Sequence, residues 1–284
     1  MHAHKIAPAG SEFEFTSAQF DTLRRLVREH TGITLNDTKR EMVYGRLSRR
    51  LRRLNLTSFA QYLALLESGD GSEMRDFINA VTTNLTAFFR EPHHFEFLAD
   101  TVLPELVARR GPARRLRIWS AGCSTGEEPY SIAMTLREAA ARLTGWDTRI
   151  LATDIDTNVL ATAAAGVYPL ERTASIPESR RRRWFKLGEG DLQGRAAVVD
   201  EARDLVRFRH LNLMGEWPFK GRFDVIFCRN VVIYFDKDTQ RRLFDRYADA
   251  LTDDGFLFVG HSETLYRVTE RFALLGRTVY RKVR

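Results

Sequence analysis

From about Arg115 to the end of the chain, short apolar runs alternate with amphipathic stretches. The runs predict five strands, LRIWSA, TRILATD, LVRFRHLNL, FDVIFCRN and GFLFVGH. Helix-like segments lie between them, such as EEPYSIAMTLREAAARL and KDTQRRLFDRYADAL. Apolar strands separated by amphipathic helices predict a mostly parallel sheet that is covered on both faces. At the end of the chain, two short β runs about a Gly-Arg turn in RFALLGRTVYRKVR predict an antiparallel hairpin that closes the sheet.

Residues 1–85 have the period of helices instead. TSAQFDTLRRLVREHTG begins with a Ser/Thr cap, spaces Phe20, Leu23 and Val27 at helical intervals, and ends at Gly32. Three further helical segments follow, NDTKREMVYGRLSRRLRRLN, SFAQYLALLES and EMRDFINAVTTN. Because no strand-like alternation appears in this region, it is predicted to form a small all-α domain.

The composition is typical of a globular protein in water, with 44% hydrophobic and 29% charged residues. No apolar run approaches the roughly 20 residues of a transmembrane helix, and the start MHAHKIAPAGSEFEF lacks an apolar segment of signal-peptide length. The two cysteines, Cys123 and Cys228, indicate no disulfide framework and are interpreted as small packing residues. We therefore expect a cytoplasmic protein.

The net charge of +7 is concentrated in residues 39–53, KREMVYGRLSRRLRR, which hold seven cations and one acid. Arg46, Arg49, Arg50 and Arg53 recur at i, i+3, i+4 and i+7 and therefore share one helical face. Such a face predicts an acidic partner, either nucleic acid or an acidic protein surface.

The loop after the first predicted strand of the sheet, SAGCSTGEE, is a candidate ligand site, although by itself it is a weak signal that a plain acidic helix start would also give. Gly122 and Gly126 would let the backbone pass close to a ligand, and a helix begins directly after them. In a dinucleotide enzyme this helix start would receive a pyrophosphate, but Glu127 and Glu128 would repel it. S-adenosylmethionine carries a sulfonium and an ammonium and no phosphate, so acids in this position favour it. One carboxylate could hold the ammonium or a ribose hydroxyl, and the other could simply begin the helix.

Polar side chains follow the other predicted strands where they end. Asp154 comes directly after the second strand and can accept hydrogen bonds from ribose hydroxyls, whereas Asp156 is interpreted as the cap of the next helix. The third and fourth strands end in Asn212 with Leu213 and in Arg229 with Asn230. An amide can read the adenine edge and a leucine can cover its face. The loop after the fourth strand would lie over the sulfonium.

Five motifs in this order resemble the CheR family of chemotaxis receptor methyltransferases: TTNLTAFFRE, WSAGCSTGEEPYSIA, ATDIDTNVL, CRNVVIYFD and FVGHSE. The likeness covers roughly residues 13 to 282. It implies an α/β fold of the class I S-adenosylmethionine-dependent methyltransferase type, which is Rossmann-like and has a mostly parallel sheet closed by a C-terminal antiparallel hairpin. A small all-α domain precedes this domain, and a small antiparallel β-subdomain is inserted in it.

The expected boundaries are a helical domain over 1–85, a linker over 86–114 that contributes to the cofactor site, and a methyltransferase domain over 115–284. The inserted β-subdomain is expected at about 167–204. The resemblance assigns receptor docking to the helical domain.

The resemblance also implies which residues contact the cofactor: Asn84, Thr86, Arg90, Ala121, Glu127, Asp154, Asn212, Leu213, Arg229 and Asn230. Glu127 is preferred to Glu128 in this set. Arg90 and Tyr234 match the residues nearest the transferred methyl group and are the expected catalytic residues. No metal site is expected, because His93 and His94 adjoin each other on a predicted helix and cannot both face one metal comfortably.

The activity that the resemblance implies is methyl transfer from S-adenosylmethionine to glutamate side chains of bacterial chemoreceptors, with S-adenosylhomocysteine as the product. The four arginines Arg46, Arg49, Arg50 and Arg53 would then dock on the acidic receptor helical bundle. The glycines of GEGDLQG, residues 188–194, are similar to those of family members that bind a receptor's C-terminal peptide, which an edge strand could add to its sheet. We expect a monomer that is recruited to receptor arrays at the inner membrane without inserting into it.

Other functions remain open at this point. A nucleic-acid methyltransferase would use the arginine face to grip phosphates, although the sequence lacks the [DN]PP[YF] segment of many amine-methylating enzymes. A related signalling system could use the same chemistry with an output other than motility. A non-enzymatic adapter is disfavoured by the intact Asn84, Arg90, Asp154 and Tyr234, and a nicotinamide dehydrogenase by the paired glutamates and the terminal hairpin.

Overall fold

The computed structural model describes residues 12–69, 71–110, 114–190 and 193–283. Asp191 and Leu192 of the glycine-rich GEGDLQG segment, and the first 11 residues of the predicted helical domain, lie outside these ranges. The chain divides into two compact units, one up to Thr83 together with Tyr234–Asp236 and one formed by the remainder. Among the described residues, no helix is both long and apolar enough to cross a membrane.

The described part of the first unit contains the helices α1 (Ser17–Thr31), α2 (Arg40–Arg53), α3 (Phe59–Glu67) and α4 (Gly71–Val81). Helix α1 begins at a capping box between Thr16 and Gln19 and ends at Gly32, where a φ of 75° favours glycine. Its buried face includes the predicted Phe20, Leu23 and Val27, so the sequence interpretation of this helix is confirmed.

The segment Tyr234–Asp236 comes from far along the chain and completes the first unit. Phe235 forms an antiparallel bridge with Ile33, and the backbone N–H of Thr34 donates to the carbonyl of Tyr234 at 2.8 Å. Arg28 forms an ion pair with Asp236 at 2.8 Å. The helical unit therefore contains residues that the sequence places within the methyltransferase domain.

The second unit is α/β. Its helices are α5 (His93–Phe97), which continues through a π turn into α6 (Leu103–Arg110), and then α7 (Glu127–Glu138), α8 (Thr157–Ala165), α9 (Glu178–Trp184), α10 (Asp200–Arg203) and α11 (Lys237–Ala250). Its strands are β1 (Arg115–Ala121), β2 (Asp147–Asp154), β3 (Val167–Pro169), β4 (Phe185–Leu187), β5 (Arg195–Val198), β6 (Val206–His210), β7 (Phe223–Cys228), β8 (Leu251–Val259), β9 (Phe272–Gly276) and β10 (Val279–Lys282).

The main sheet has the order β6-β2-β1-β7-β8-β10-β9. The pairs from β6 to β8 are parallel, and β10 is antiparallel to both of its neighbours. Every residue of β7 is buried, as expected for a strand with both faces covered. The predicted parallel sheet with a terminal antiparallel hairpin is therefore confirmed.

A smaller antiparallel sheet, β3-β5-β4, is inserted between α8 and β6. We call residues 167–204 the insertion. The sequence predicted short β segments here, and the structure adds α9 and α10 to them.

Candidate functional site

In the loop between β1 and α7, residues 122–126, both glycines lie close to neighbouring side chains. A Cβ on Gly122 would lie 2.5 Å from a methyl carbon of Val231, and one on Gly126 would lie 2.8 Å from Ala163 and from the Tyr168 hydroxyl. Both glycines have positive φ, 81° and 98°. A side chain at either position would meet these neighbours, so the packing of the loop requires glycine here, and the approach of a ligand to the loop backbone stays a prediction.

Glu127 and Glu128 begin α7 and are both buried, at 0% and 9% exposure. The Glu127 carboxylate accepts hydrogen bonds from Thr125 Oγ1 at 2.6 Å and from the Arg172 guanidinium. Glu128 accepts from Ser120 Oγ at 2.7 Å and pairs with Arg229 at 3.2 Å. Burial raises the pKa of Glu128. The two acids thus have separate partners.

Asp154 lies at the carboxyl end of β2, beside the loop. Its Oδ2 accepts the Ser124 N–H at 2.8 Å and its Oδ1 accepts the Asp156 N–H at 3.0 Å. Burial raises the pKa of Asp154. Asp156 Oδ1 accepts the N–H groups of Asn158 and Val159, which confirms its predicted role as the cap of α8.

Asn84, two residues before the predicted linker, lies at the same edge of the sheet. Asn84 donates from Nδ2 to Asp156 Oδ2 at 2.7 Å, and its carbonyl accepts from Ser124 Oγ at 2.9 Å. The structure therefore brings Asn84 together with the glycine loop and the end of β2. Only the family resemblance pointed to this placement, because no periodicity or composition signal marks Asn84 in the sequence.

Arg90 lies between two residues with left-handed backbone, Phe89 at a φ of 52° and Glu91 at 57°. Non-glycine residues in this region carry strain that is often found at functional sites. Arg90 Nη1 donates to the carbonyl of Leu85 at 3.0 Å, and Thr86, the next residue after Leu85, is half-buried. The backbone therefore holds this segment in one defined conformation.

Arg229 follows β7 and is buried, with its side chain 2% exposed. Its guanidinium pairs with Glu91 at 3.2 Å and Glu128 at 3.2 Å, and it donates to the carbonyl of Arg90. Burial by itself would raise the pKa of Glu91, but the hydrogen bond with His261 and the charge of Arg229 lower it to about 2. Arg229 thus joins the linker, through Glu91 and the Arg90 carbonyl, to Glu128 beside the main sheet. These contacts within the protein are the partners that the structure gives for its guanidinium.

Asn230 begins the loop after β7 with a φ of 59°. The Glu263 carboxylate accepts hydrogen bonds from four backbone N–H groups. Three belong to this loop, Asn230 at 2.8 Å and Val231 and Val232 at 2.9 Å, and the fourth is that of Gly260 after β8, at 2.6 Å. Glu263 is 4% exposed. Glu263 belongs to the FVGHSE motif, but no signal in the sequence predicts a role for it. In the structure it is the acceptor that holds this loop.

Replacing Glu263 by glutamine is expected to lower the free energy of unfolding by about 2 to 3 kcal/mol, because the amide nitrogen would leave two buried N–H groups without an acceptor. Urea unfolding measures the change. Glu14→Gln is the matched control, since Glu14 is exposed and should change stability by less than about 0.5 kcal/mol. An equal, small effect of both substitutions would contradict the assigned role.

Other predicted cofactor residues lie at the ends of β1 and β6. Ala121 is fully buried, at 0% exposure, and Leu213 is 9% exposed. Asn212 Oδ1 accepts the N–H of Met214 at 2.9 Å, which makes a tight turn after β6. Tyr234, by contrast, belongs to the helical unit.

The four arginines of α2 have different surroundings. Arg50 pairs with Glu73 and Asp76, and its side chain is only 13% exposed, while Arg46 donates to the carbonyls of Ala80 and Thr82. Arg49 and Arg53 are exposed. The shared face that the sequence predicts is thus divided: two of its guanidiniums bind within the helical unit and two lie at its surface.

The histidine geometry differs from the sequence argument. Glu91, His93 and His94 offer ligand atoms that all lie within 4.8 Å of one another, so the two adjacent histidines do face a common point. Arg229 lies 3.2 Å from Glu91 Oε2, and this positive charge opposes a second cation at that oxygen.

The two cysteines are free and buried, as their interpretation as packing residues requires. Burial raises the pKa of both Cys123 and Cys228, so both thiols stay protonated and unreactive near neutral pH.

The chemistry of this edge of the sheet fits S-adenosylmethionine. Glu127 and Glu128 at the start of α7 and Asp154 at the end of β2 are buried acids. A pyrophosphate placed there would meet three carboxylates against the two guanidiniums of Arg172 and Arg229. A ligand with positive charge and ribose hydroxyls meets acceptors instead. The parallel sheet, its antiparallel β10 and this acidic edge together define the class: an S-adenosylmethionine-dependent methyltransferase.

Comparison with known proteins identifies the family. The all-alpha domain of CheR methyltransferases matches residues 18–82, and their SAM binding domain matches residues 84–281. The chain is 49% identical over 272 residues to Chemotaxis protein methyltransferase 2 of Pseudomonas aeruginosa, which covers 95% of this chain and 94% of that protein. It is 47% identical over 268 residues to the Chemotaxis protein methyltransferase of Escherichia coli, which covers 93% and 91%. The chain therefore belongs to the CheR methyltransferase family, and its cofactor is S-adenosylmethionine.

Proposed function

We propose that this protein transfers the methyl group of S-adenosylmethionine to glutamate side chains of bacterial chemoreceptors and thereby forms methyl esters. The observation that carries the proposal is that both CheR family domains match in order, over residues 18–82 and 84–281. The named relatives are chemotaxis methyltransferases. This evidence does not favour a nucleic-acid substrate.

The bound cofactor supplies an electrophilic methyl group on a positively charged sulfur. A glutamate side chain, with a pKa near 4.3, is already an anion at neutral pH, so the enzyme needs no strong general base. Its task is to align the carboxylate with the methyl group, which can remove roughly 7 to 11 kcal/mol of the barrier at the upper end.

We assign the orientation of the incoming carboxylate to Arg90. The left-handed backbone on both sides of Arg90 supports this role, because it defines the direction in which the side chain leaves the linker. Tyr234 would hydrogen-bond the same carboxylate or line the path of the methyl group. The ester product is neutral, so its attraction to an arginine weakens and its release is favoured.

Asn84, Thr86, Ala121, Glu127, Asp154, Asn212, Leu213 and Asn230 are proposed to hold the cofactor. Glu127 is kept as the proposed ligand in preference to Glu128, as the family resemblance implies; each of the two carboxylates has an arginine partner, Arg172 and Arg229 respectively. For Arg229, we propose a supporting position beside these residues, because its guanidinium is engaged by Glu91, Glu128 and the Arg90 carbonyl.

Incubation of the protein with methyl-labelled S-adenosylmethionine and a receptor cytoplasmic fragment tests the function. The label should enter the fragment, be released as methanol by mild base, and map to glutamate residues. RNA and DNA serve as alternative acceptors in parallel reactions. Label in nucleic acid, or base-stable label in the receptor, would refute the proposal.

We further propose that residues 1–85 dock on the acidic receptor bundle and that a receptor C-terminal peptide can add to an edge of the β3-β5-β4 sheet. The protein would then act as a cytoplasmic monomer that is recruited to receptor arrays. The linker 86–114 and the methyltransferase domain 115–284 would carry the chemistry.

The docking proposal predicts an effect of salt. The double substitution Arg49→Gln/Arg53→Gln should slow receptor methylation roughly 3- to 10-fold at low ionic strength, because it removes two exposed cations that would steer an acidic partner. The difference should shrink as salt screens the charges.

The matched control is Arg25→Gln/Arg75→Gln, which removes two exposed arginines from other helices of the same unit and should leave the rate nearly unchanged. If both double variants slow the reaction equally, net charge matters and the α2 face is not the docking surface.

A further inference from the structure

The insertion contacts the glycine loop directly. The Tyr168 hydroxyl, on β3, donates to the carbonyl of Thr125 at 2.7 Å. The same hydroxyl is one of the atoms that a Cβ on Gly126 would meet at 2.8 Å. The loop and the insertion therefore pack closely enough that the glycine is required.

The second contact is with Glu127, the buried acid that follows the glycine loop at the start of α7. Arg172 follows β3 in a short 3-10 turn, Leu170–Thr173, and its guanidinium pairs with Glu127 Oε1. The Glu127 side chain is 0% exposed and that of Arg172 is 37% exposed. Because Thr125 donates to the other carboxylate oxygen, Glu127 is held through both oxygens.

The insertion also packs against the linker. Phe88 makes edge-to-face contacts with Tyr168 at 5.0 Å and with Phe185 at 5.1 Å. Arg180 lies over the ring of Phe89, 4.3 Å from its centroid, and pairs with Glu138 of α7 at 2.7 Å. The residues just before Arg90 are therefore held by the insertion as well.

We propose that Arg172 is a positioning residue of the methyltransferase site, and that the part of the insertion formed by Tyr168 and Arg172 belongs to the cofactor-binding machinery, in addition to any role of the insertion in receptor binding. This inference rests on Glu127 being a cofactor ligand, as proposed above. A carboxylate held through both oxygens is preorganised to accept a ribose hydroxyl or an ammonium, so less ordering is needed when the cofactor binds. Without Arg172 the same buried carboxylate loses its cationic partner and its fixed orientation.

Calorimetric titration with S-adenosylhomocysteine tests this coupling in a double-mutant cycle of Arg172→Met, Glu127→Gln and the combined variant. Arg172→Met should weaken binding about 10-fold, whereas in the Glu127→Gln background the same change should have little further effect. Arg172→Lys should restore part of the affinity. A merely structural role would give an Arg172→Met effect that does not depend on residue 127.

Arg195→Met is the matched control, because Arg195 is an exposed arginine on β5 of the same insertion; its affinity should equal that of the wild type. The inference would be overturned if either Arg172→Met or Glu127→Gln bound S-adenosylhomocysteine with wild-type affinity. It would also be overturned if the two effects were additive in the cycle. The titration needs no methyl acceptor, so its result is independent of whether receptor glutamates are the substrate.

Discussion

Replacing Arg229 by methionine is expected to lower the free energy of unfolding by about 3 to 5 kcal/mol, the cost of leaving buried charges without their partner. Glu91 and Glu128, each with its side chain 11% exposed, both pair with this guanidinium. Methionine fills much of the same space, so the loss is mainly electrostatic. Denaturant unfolding at pH 7 measures it.

The effect should depend on pH. The pKa of Glu91 is lowered from 4.5 to about 2 in the folded protein, so its ionisation stabilises the fold above about pH 4.5 and this contribution is lost as the pH falls toward 2. The difference between wild type and Arg229→Met should therefore be largest near neutral pH and shrink below about pH 4.5.

Arg222→Met is the matched control for Arg229→Met. Arg222 also pairs with a carboxylate, that of Asp253 at 2.8 Å, but the two side chains are 55% and 86% exposed. Its loss should cost less than about 1 kcal/mol. An effect of Arg229→Met no larger than that of Arg222→Met would contradict the view that Arg229 joins the linker to the sheet.

Arg90→Ala is expected to reduce methyl transfer by about 10²- to 10³-fold, the usual cost of losing one preorganised charged donor at a reacting group. Arg90 is only half-buried and its Nη1 bonds the nearby Leu85 carbonyl, so the melting temperature should change little. Single-turnover rates with a receptor fragment, together with thermal unfolding, separate the two effects.

Arg209→Ala provides the comparison, since Arg209 is exposed and its Nη1 likewise bonds a local carbonyl, that of Phe208. It should retain the full rate. Arg90→Lys should recover part of the activity, because the charge is kept and the planar fork is lost. A near-normal turnover of Arg90→Ala would exclude Arg90 from the reaction.

Much of the local structure could be predicted because it depends on neighbours in the sequence. The capping box of α1, its glycine end and the Asp156 cap of α8 each involve residues within a few positions of one another. The parallel sheet could be predicted because apolar strands between amphipathic helices can bury both faces only in that arrangement. The acids of the glycine loop pointed to a cationic ligand by charge alone.

The partners of the charged side chains could not be predicted in this way. The helical spacing on α2 placed four arginines on one face, but it could not show that Glu73 would cover Arg50 while Arg49 stayed exposed. Adjacency in the sequence predicts that His93 and His94 do not face one point, but the start of α5 brings both of them together with Glu91.

The sequence by itself determined the class of fold, the edge of the sheet that carries the acids, and the family. Local periodicity and the order of the motifs are properties of the sequence itself, so they can be recognised without knowing how the chain packs. Only the tertiary structure decided that Arg172 holds Glu127, that Arg229 joins Glu91 to Glu128, and that Glu263 holds the loop after β7. These contacts join residues far apart in the chain, and the burial that makes them strong exists only once the sheet and its insertion have packed.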